Sequence, residues 1–234
     1  MTRPVPKNLL IVGAGKGFAR CTARKFGQEG WTVRLLARSR GGLDDLAASL
    51  ADDSVSVHTY VGDVTQHTAL SRLVRQIDTE HSLDACVFQP SGDGIVDVLD
   101  ANVDNVRPHL ELLVLGAAAV GQVLAPRMAE RGYGSLVFVG GGSARMPLPV
   151  FGNLGMAMAG LRTYALTLNT ALAEKGVHSA FFTVAGMIGT EGRVKPGQLD
   201  PNHLAERMHS LVRDRETREV LMTPDGEVVP KGAR

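Results

Sequence analysis

The sequence predicts one α/β domain, residues 1–234, doubly wound around a parallel sheet of seven strands. Three observations carry that expectation. Short apolar runs alternate with segments of helical period along the whole chain. The first run leads into a cluster of glycines and then a helical pattern. A chain of 234 residues with 44% hydrophobic side chains can fill one large core. Strand–helix alternation implies right-handed crossovers between parallel strands, with helices on both faces of the sheet.

The elements follow in order. Leu9–Val12 reads as the first strand and Ala19–Glu29 as the first helix. Thr32–Leu36 is a strand, Gly41–Ala51 a helix, and Val55–Tyr60 a strand with period-two alternation. Thr68–Thr79 is a helix and Ala85–Phe88 the fourth strand. Val106–Arg131 is a long helical region, expected to break near Pro108. Ser135–Val139 is the fifth strand, ending in three glycines. Leu154–Glu174 is a helix closed by Lys175-Gly176, a C-terminal stop signal. Ser179–Val184, Pro201–Arg213 and Glu219–Met222 complete the pattern as strand, helix and strand. The glycine-rich stretch Met187–Pro201 lacks periodicity and reads as a loop at the carboxyl ends of the strands, where such sheets take ligands.

Composition excludes several classes. Lys plus Arg number 25 against 24 Asp plus Glu, a formal charge of +1, which gives no basic footprint for nucleic acid. Cys21 and Cys86 are not spaced as a metal site and read as buried reduced thiols of a cytoplasmic protein. No metal is expected. The apolar run after Met1 to Asn8 is too short for a secretory leader. The longest low-charge stretch, Leu112 to Pro126, is too short to span a bilayer comfortably. It reads as a buried helix.

Chemistry enters at Val12-Gly13-Ala14-Gly15-Lys16-Gly17-Phe18-Ala19. A buried strand, a glycine turn and a helix start make a phosphate-binding corner, because glycine lets the backbone approach a pyrophosphate and the free N–H groups of the helix face its charge. The spacing Gly13-x-x-x-Gly17-x-Ala19 resembles the Gly-x-x-x-Gly-x-Gly corner of the short-chain dehydrogenase/reductase family, with alanine for the third glycine. The resemblance covers nearly the whole chain and implies a Rossmann fold that holds NADP(H). Arg38, just after the second strand, stands where NADP-preferring members keep a basic residue for the 2′-phosphate, and Lys16 points the same way. Asp63-Val64 matches the pair that contacts adenine. The segment Val184 to Thr190 matches Pro-Gly-x-Ile-x-Thr, in which Ile188 and Thr190 would hold the nicotinamide amide.

The family's redox chemistry uses a tyrosine as general acid/base, a lysine four residues later that lowers its pKa, a carbonyl-polarising serine and a water-holding asparagine. The three tyrosines here, Tyr60, Tyr133 and Tyr164, have Val64, Val137 and Leu168 four residues on, and a seven-residue spacing fails as well. Aligned on the family, the lysine falls on Met158 and the tyrosine on Leu154, or on Phe151 in the longer spacing. The serine falls on Gly141 and the asparagine near Leu113. No catalytic residue is therefore assigned. The polar residues nearest the expected pocket read as ordinary: Ser143 a loop hydroxyl, Arg145 solvated, Asn153 a helix cap, His109 a surface histidine, with Arg107 beside it. Met146, Met156 and Met158 read as core or pocket filling.

Three functions stay open at this point: an NADP-dependent oxidoreductase with a non-standard proton donor, a non-redox catalyst or pseudoenzyme with an apolar pocket for a small molecule, and a nucleotide-sensing partner protein. NADP(H) is expected to bind weakly, since methionine at 158 cannot bond the ribose as lysine would. The resemblance also implies a homodimer or homotetramer, and no membrane or nucleic-acid partner.

Overall fold

A computed structural model describes residues 7–228. The reading of the extreme N-terminus as no leader falls mostly on residues 1–6, outside the described residues. Strands β1 (Asn8–Val12), β2 (Thr32–Ala37), β3 (Val57–Val61), β4 (Ala85–Phe88), β5 (Gly134–Gly141), β6 (Val177–Val184) and β7 (Glu219–Thr223) form the seven parallel strands expected. A short eighth strand, β8 (Gly226–Val228), adds to the edge antiparallel to β7. Two turn residues, Pro224 and Asp225, separate the pair, and a run this short carries no apolar alternation by which to see it. The order is β3-β2-β1-β4-β5-β6-β7-β8, so strand order reverses between β1 and β4. Val12 ends β1 level with Leu36 of β2 and Phe88 of β4.

Burial explains the strand composition. Leu9, Leu10, Ile11 and Val12 are all fully buried, because helices cover both faces. Alternation then sorts residues into two cores. Leu10, Val12, Cys86, Phe88, Leu136 and Phe138 face α3 (His67–His81), α5 (Gly116–Arg131) and α6 (Gly152–Leu172). Leu9, Ile11, Val87, Val137 and Phe182 face α1 (Phe18–Gln28), α2 (Arg40–Ala51) and α7 (Pro201–Asp214). Both cysteines are buried and unpaired.

The expected break at Pro108 is absent. Helix α4 (Val103–His109) continues through a π-helical segment, Leu110–Leu115, into α5. Proline costs one N–H donor in the second turn, and the wider π turns carry the chain on. The joined helix Val103–Arg131 is 29 residues and holds an 18-residue window with a mean hydropathy of 1.6, long and apolar enough to cross a membrane on those measures alone. Leu113, Ala117, Val120, Leu124 and Met128 are nevertheless packed in the core.

His178 is buried in β6, with its Nδ1 3.1 Å from the Ser135 hydroxyl and its Nε2 2.8 Å from the Thr217 carbonyl. Nε2–H therefore donates to the carbonyl and Nδ1 accepts, which is a neutral ring. Burial holds its pKa below the usual 6.5, and burial does the same to His209 in α7. The unfolded chain then binds more protons than the folded one as pH falls below about 6.5. Stability is expected to be full above that pH and to decline toward pH 5.5. Urea midpoints at pH 7.5 and 5.5 check this, and a midpoint that rises on acidification contradicts it.

Candidate functional site

The reversal between β1 and β4 opens a groove at the carboxyl ends of the strands. Two adjoining cavities fill it, sharing Gly13, Gly15, Pro90, Ser91 and Gly92. The larger, about 540 Å³, is lined by Lys16, Gly17, Phe18, Gln89, Gly140, Gly141, Leu154, Met158, Val184 and Ile188 beside the shared residues. The smaller, about 440 Å³, extends over Arg38, Ser39, Gly62, Val64 and Thr65.

The glycine corner has two kinds of glycine. Gly13 has φ +85°, and a Cβ there would lie 2.6 Å from Pro90 N and Cα. The protein's own backbone demands glycine at that point. A Cβ at Gly15 or Gly17 would meet nothing within 4 Å. Those two glycines leave room that no protein atom uses. Helix α1 starts beside them with no side-chain cap at Gly17 and no acid in its first turn. Its leading N–H groups and positive dipole end face the open groove, a fit for a pyrophosphate. Phe18 fixes the helix start by stacking on Phe182, with ring centroids 6.1 Å apart.

The other sequence-predicted residues divide. Gly13, Gly15, Lys16, Gly17, Phe18, Arg38, Val64 and Ile188 all line the groove. Asp63 and Thr190 do not. The Asp63 carboxylate accepts from the Thr65 N–H at 2.9 Å and hydroxyl at 2.8 Å, bonds that hold its pKa below the usual carboxylate value. It shapes the turn beneath Val64. Thr190 is exposed, two residues beyond Ile188. Lys16 lines the larger cavity rather than Arg38's and pairs with Asp45 at 2.9 Å, both side chains exposed. Arg38 is exposed at the rim of the smaller cavity, and the adjacent Ser39 caps α2 by accepting from the Gly42 N–H.

On the opposite wall, Leu154 and Met158 project one helical turn apart from α6 into the larger cavity. The Met158 Sδ accepts from the Gly141 N–H at 3.3 Å. Phe151 lines a separate apolar cavity with Ser143 and Met156. The four-residue register, Leu154 with Met158, is therefore the pair that faces the groove. Of the three tyrosines, none lines it. Tyr164 is packed on Phe138, with its hydroxyl against Gly121, and burial raises its pKa.

Three polar candidates differ from expectation. Asn153 does not cap α6. It is fully buried and accepts from the Val96 N–H while donating to the Gly94 and Asn105 carbonyls, tying the chain after β4 to the start of α6. His109 is 3% exposed, with its ring against Gly92. Arg145 is not solvated but pairs with the buried Glu219, which Arg162 also bonds, Nη2 to Oε2, at 3.0 Å. Burial works to raise the Glu219 pKa, and the two arginines outweigh it and hold it low. Long-range packing decides all three, and sequence spacing carries no sign of it. Among the described residues no cluster of acidic, histidine or cysteine side chains could hold a metal ion.

Comparison with known proteins agrees with the geometry. Residues 7–197 match the family model described as short chain dehydrogenase. The chain is 27% identical over 172 residues to sulfoacetaldehyde reductase 2 of Chromohalobacter salexigens, covering 72% of this chain and 68% of that one. The fold is similar to a short-chain dehydrogenase from Rhodopseudomonas palustris, with TM-score 0.82 at 20% identity, covering 94% of this chain and all of the other. It is also similar to a metagenomic short-chain oxidoreductase in complex with NADP, with TM-score 0.79 at 17% identity, covering 92% and 96%.

Proposed function

The chain belongs to the short-chain dehydrogenase family, and from that premise we propose that its groove binds NADP(H) in an oxidoreductase-like framework whose proton-transfer residues are replaced. One observation carries the cofactor reading. Gly15 and Gly17 stand open beside the uncapped start of α1, while Gly13 is pressed on Pro90, so the corner is shaped around something larger than itself. The solved relative that holds NADP supports the same ligand. Arg38, at the rim of the adjoining cavity, supplies the cation that favours a 2′-phosphate.

A nicotinamide dinucleotide supplies or takes up a hydride when bound. The protein's share of that reaction is to hold the substrate oxygen and move its proton. Leu154 and Met158 can do neither, and Gly141 offers no hydroxyl. Ser143 has one, but it opens into the other cavity. This apolar wall favours a second reading, a non-redox catalyst or a nucleotide-sensing pseudoenzyme whose larger cavity takes a small apolar molecule.

Titration with NADPH and NADH tests the cofactor reading. NADPH is expected to bind the tighter, and Arg38→Asp to remove the preference. One lost charge-assisted bond is worth about 1.5–3 kcal/mol, or roughly ten- to a hundred-fold. Equal dissociation constants in the unaltered protein overturn the preference. With methionine at 158 in place of a ribose-bonding cation, binding is expected to be weak, with a dissociation constant above the submicromolar range.

We also read the chain as a homodimer or homotetramer. Leu110, Leu115 and Met156 stand 37%, 48% and 51% exposed on the long helices, more apolar surface than those helices need for the sheet. Sedimentation at micromolar concentration is expected to give a multiple of the 24.9 kDa chain mass. A monomer mass contradicts it.

A further inference from the structure

The loop after β6 is fastened at its tip. Within residues 185–200, Ile188 pairs with Leu199, and the Gly189 N–H donates to the Leu199 carbonyl at 2.9 Å. The loop then turns at Thr190, whose carbonyl accepts from the Arg193 N–H at 2.8 Å. Glu191, at that turn, reaches across to α1. Arg20 Nη1 donates to its Oε2 at 2.6 Å, Arg24 pairs with its Oε1, and the Cys21 thiol donates to Oε2 at 3.6 Å.

The two arginines are also held by partners other than Glu191. Arg20 donates to Asp53 at 2.7 Å and to the Ser49 carbonyl at 3.1 Å, and Arg24 donates to Asn202 Oδ1 at 2.5 Å. The side chains of this network are only 19–31% exposed. An isolated exposed ion pair does little, because two long side chains must be immobilised to make it. Here the cations are immobilised by other bonds, so Glu191 gains them at small entropic cost. Burial works to raise the Glu191 pKa, and Arg24 and Arg20 outweigh it, keeping it ionised. The Cys21 thiol is pushed up to about 11 by burial and by the Glu191 charge, so it stays a neutral donor.

The two ends of this strap flank one cavity. Helix α1 lines the larger cavity with Phe18 and Ala19, the two residues before Arg20, and the loop lines it with Ile188, three residues before Glu191. We propose that Glu191 is a positioning residue that straps the β6–α7 loop to α1 and so sets Ile188 against the nicotinamide half of a bound dinucleotide. The affinity part rests on the NADP(H) reading above. The strap itself does not. Its expected signature is selective, since the cavity at the adenosine end of the groove, with Arg38, Ser39 and Val64, is lined by no residue of the loop or of α1.

The experiment compares wild type, Glu191→Gln, Arg24→Gln and the double variant. NADPH is titrated alongside 2′,5′-ADP, which carries the adenosine half and its phosphate but no nicotinamide. Amide hydrogen exchange of residues 186–199 is read without ligand. Glu191→Gln is expected to weaken NADPH about tenfold while leaving 2′,5′-ADP within about twofold, and to speed exchange at Gly189. Arg24→Gln is expected to do the same, and the double variant to lose no more than one of them. Unchanged exchange in Glu191→Gln overturns the strap, as does an equal loss for both ligands or additive losses in the double variant. Wild type that binds neither ligand, with faster exchange in Glu191→Gln, overturns the NADP(H) reading and leaves the strap standing.

Discussion

Purified protein given NADPH and a generic ketone is expected to turn over far below the 1–10³ per second typical of enzymes. Removing a general acid costs about 10²–10⁴-fold by itself, and on the proposed reading Leu154, Met158 and Gly141, which line the cavity, stand in place of the acid, its neighbouring cation and the carbonyl-polarising hydroxyl. The sharper test is restoration. Leu154→Tyr, Met158→Lys and Gly141→Ser place all three groups on the same cavity wall. A Cβ at Gly141 would meet nothing closer than the Ser143 Oγ at 4.0 Å, so the serine has room. The alternative, Phe151→Tyr with Met158→Lys, is expected to stay inactive, because Phe151 opens into a different cavity. The new lysine forfeits the bond that Met158 Sδ accepts from the Gly141 N–H, and partial burial lowers its pKa. Melting temperatures therefore belong beside the rates. Ordinary turnover by the unaltered protein, or gain by the Phe151 variant alone, contradicts this account of the site.

The glycine corner gives a second large effect, in the opposite currency. Gly13→Ala is expected to destabilise the fold by roughly 3 kcal/mol or more, from a strained backbone angle plus a contact with Pro90 that no side-chain movement can relieve. At about 2–4 °C per kcal/mol for a chain of this size, the melting temperature falls by about 6–12 °C. Gly15→Ala meets no protein atom and is expected to leave melting within a few degrees while abolishing dinucleotide binding. Calorimetry and titration on the two variants separate a glycine the fold needs from one the ligand needs. Equal melting temperatures for both contradict the distinction.

That contrast also marks how far the sequence is legible. The corner could be read because strand, glycines and helix start are contiguous, so local backbone chemistry suffices. The strands could be read because doubly covered strands are continuously apolar, and Leu9–Val12 shows it. Which glycine is structural could not, because the reason is Pro90, brought alongside by β4. The same limit explains Asn153 and His109. Each is buried by a partner far along the chain, Val96 with Gly94 and Asn105 for the first and Gly92 for the second, while a helix-start position alone favours a cap and a surface ring. The choice between Leu154 and Phe151 needed the rotation of α6 relative to the sheet. Glu191 left no mark at all, since its partners lie more than 160 residues earlier.

The π-helical segment Leu110–Leu115 sets the phase of everything before it. A π turn accommodates an extra residue, and in an α-helix one residue is roughly 100° of rotation. Residues of α4 are thus indexed against α5 by an offset that an unbroken α-helix would not have. Winding all six residues of 110–115 at ordinary α pitch would over-rotate the helix by about one residue and turn α4 as a rigid cylinder. His109 would swing from beneath Gly92 toward solvent, and Asn105 would leave the amide of Asn153. The groove floor at Gly92 is therefore keyed to how tightly a helix is wound one turn away rather than to any single side chain on it.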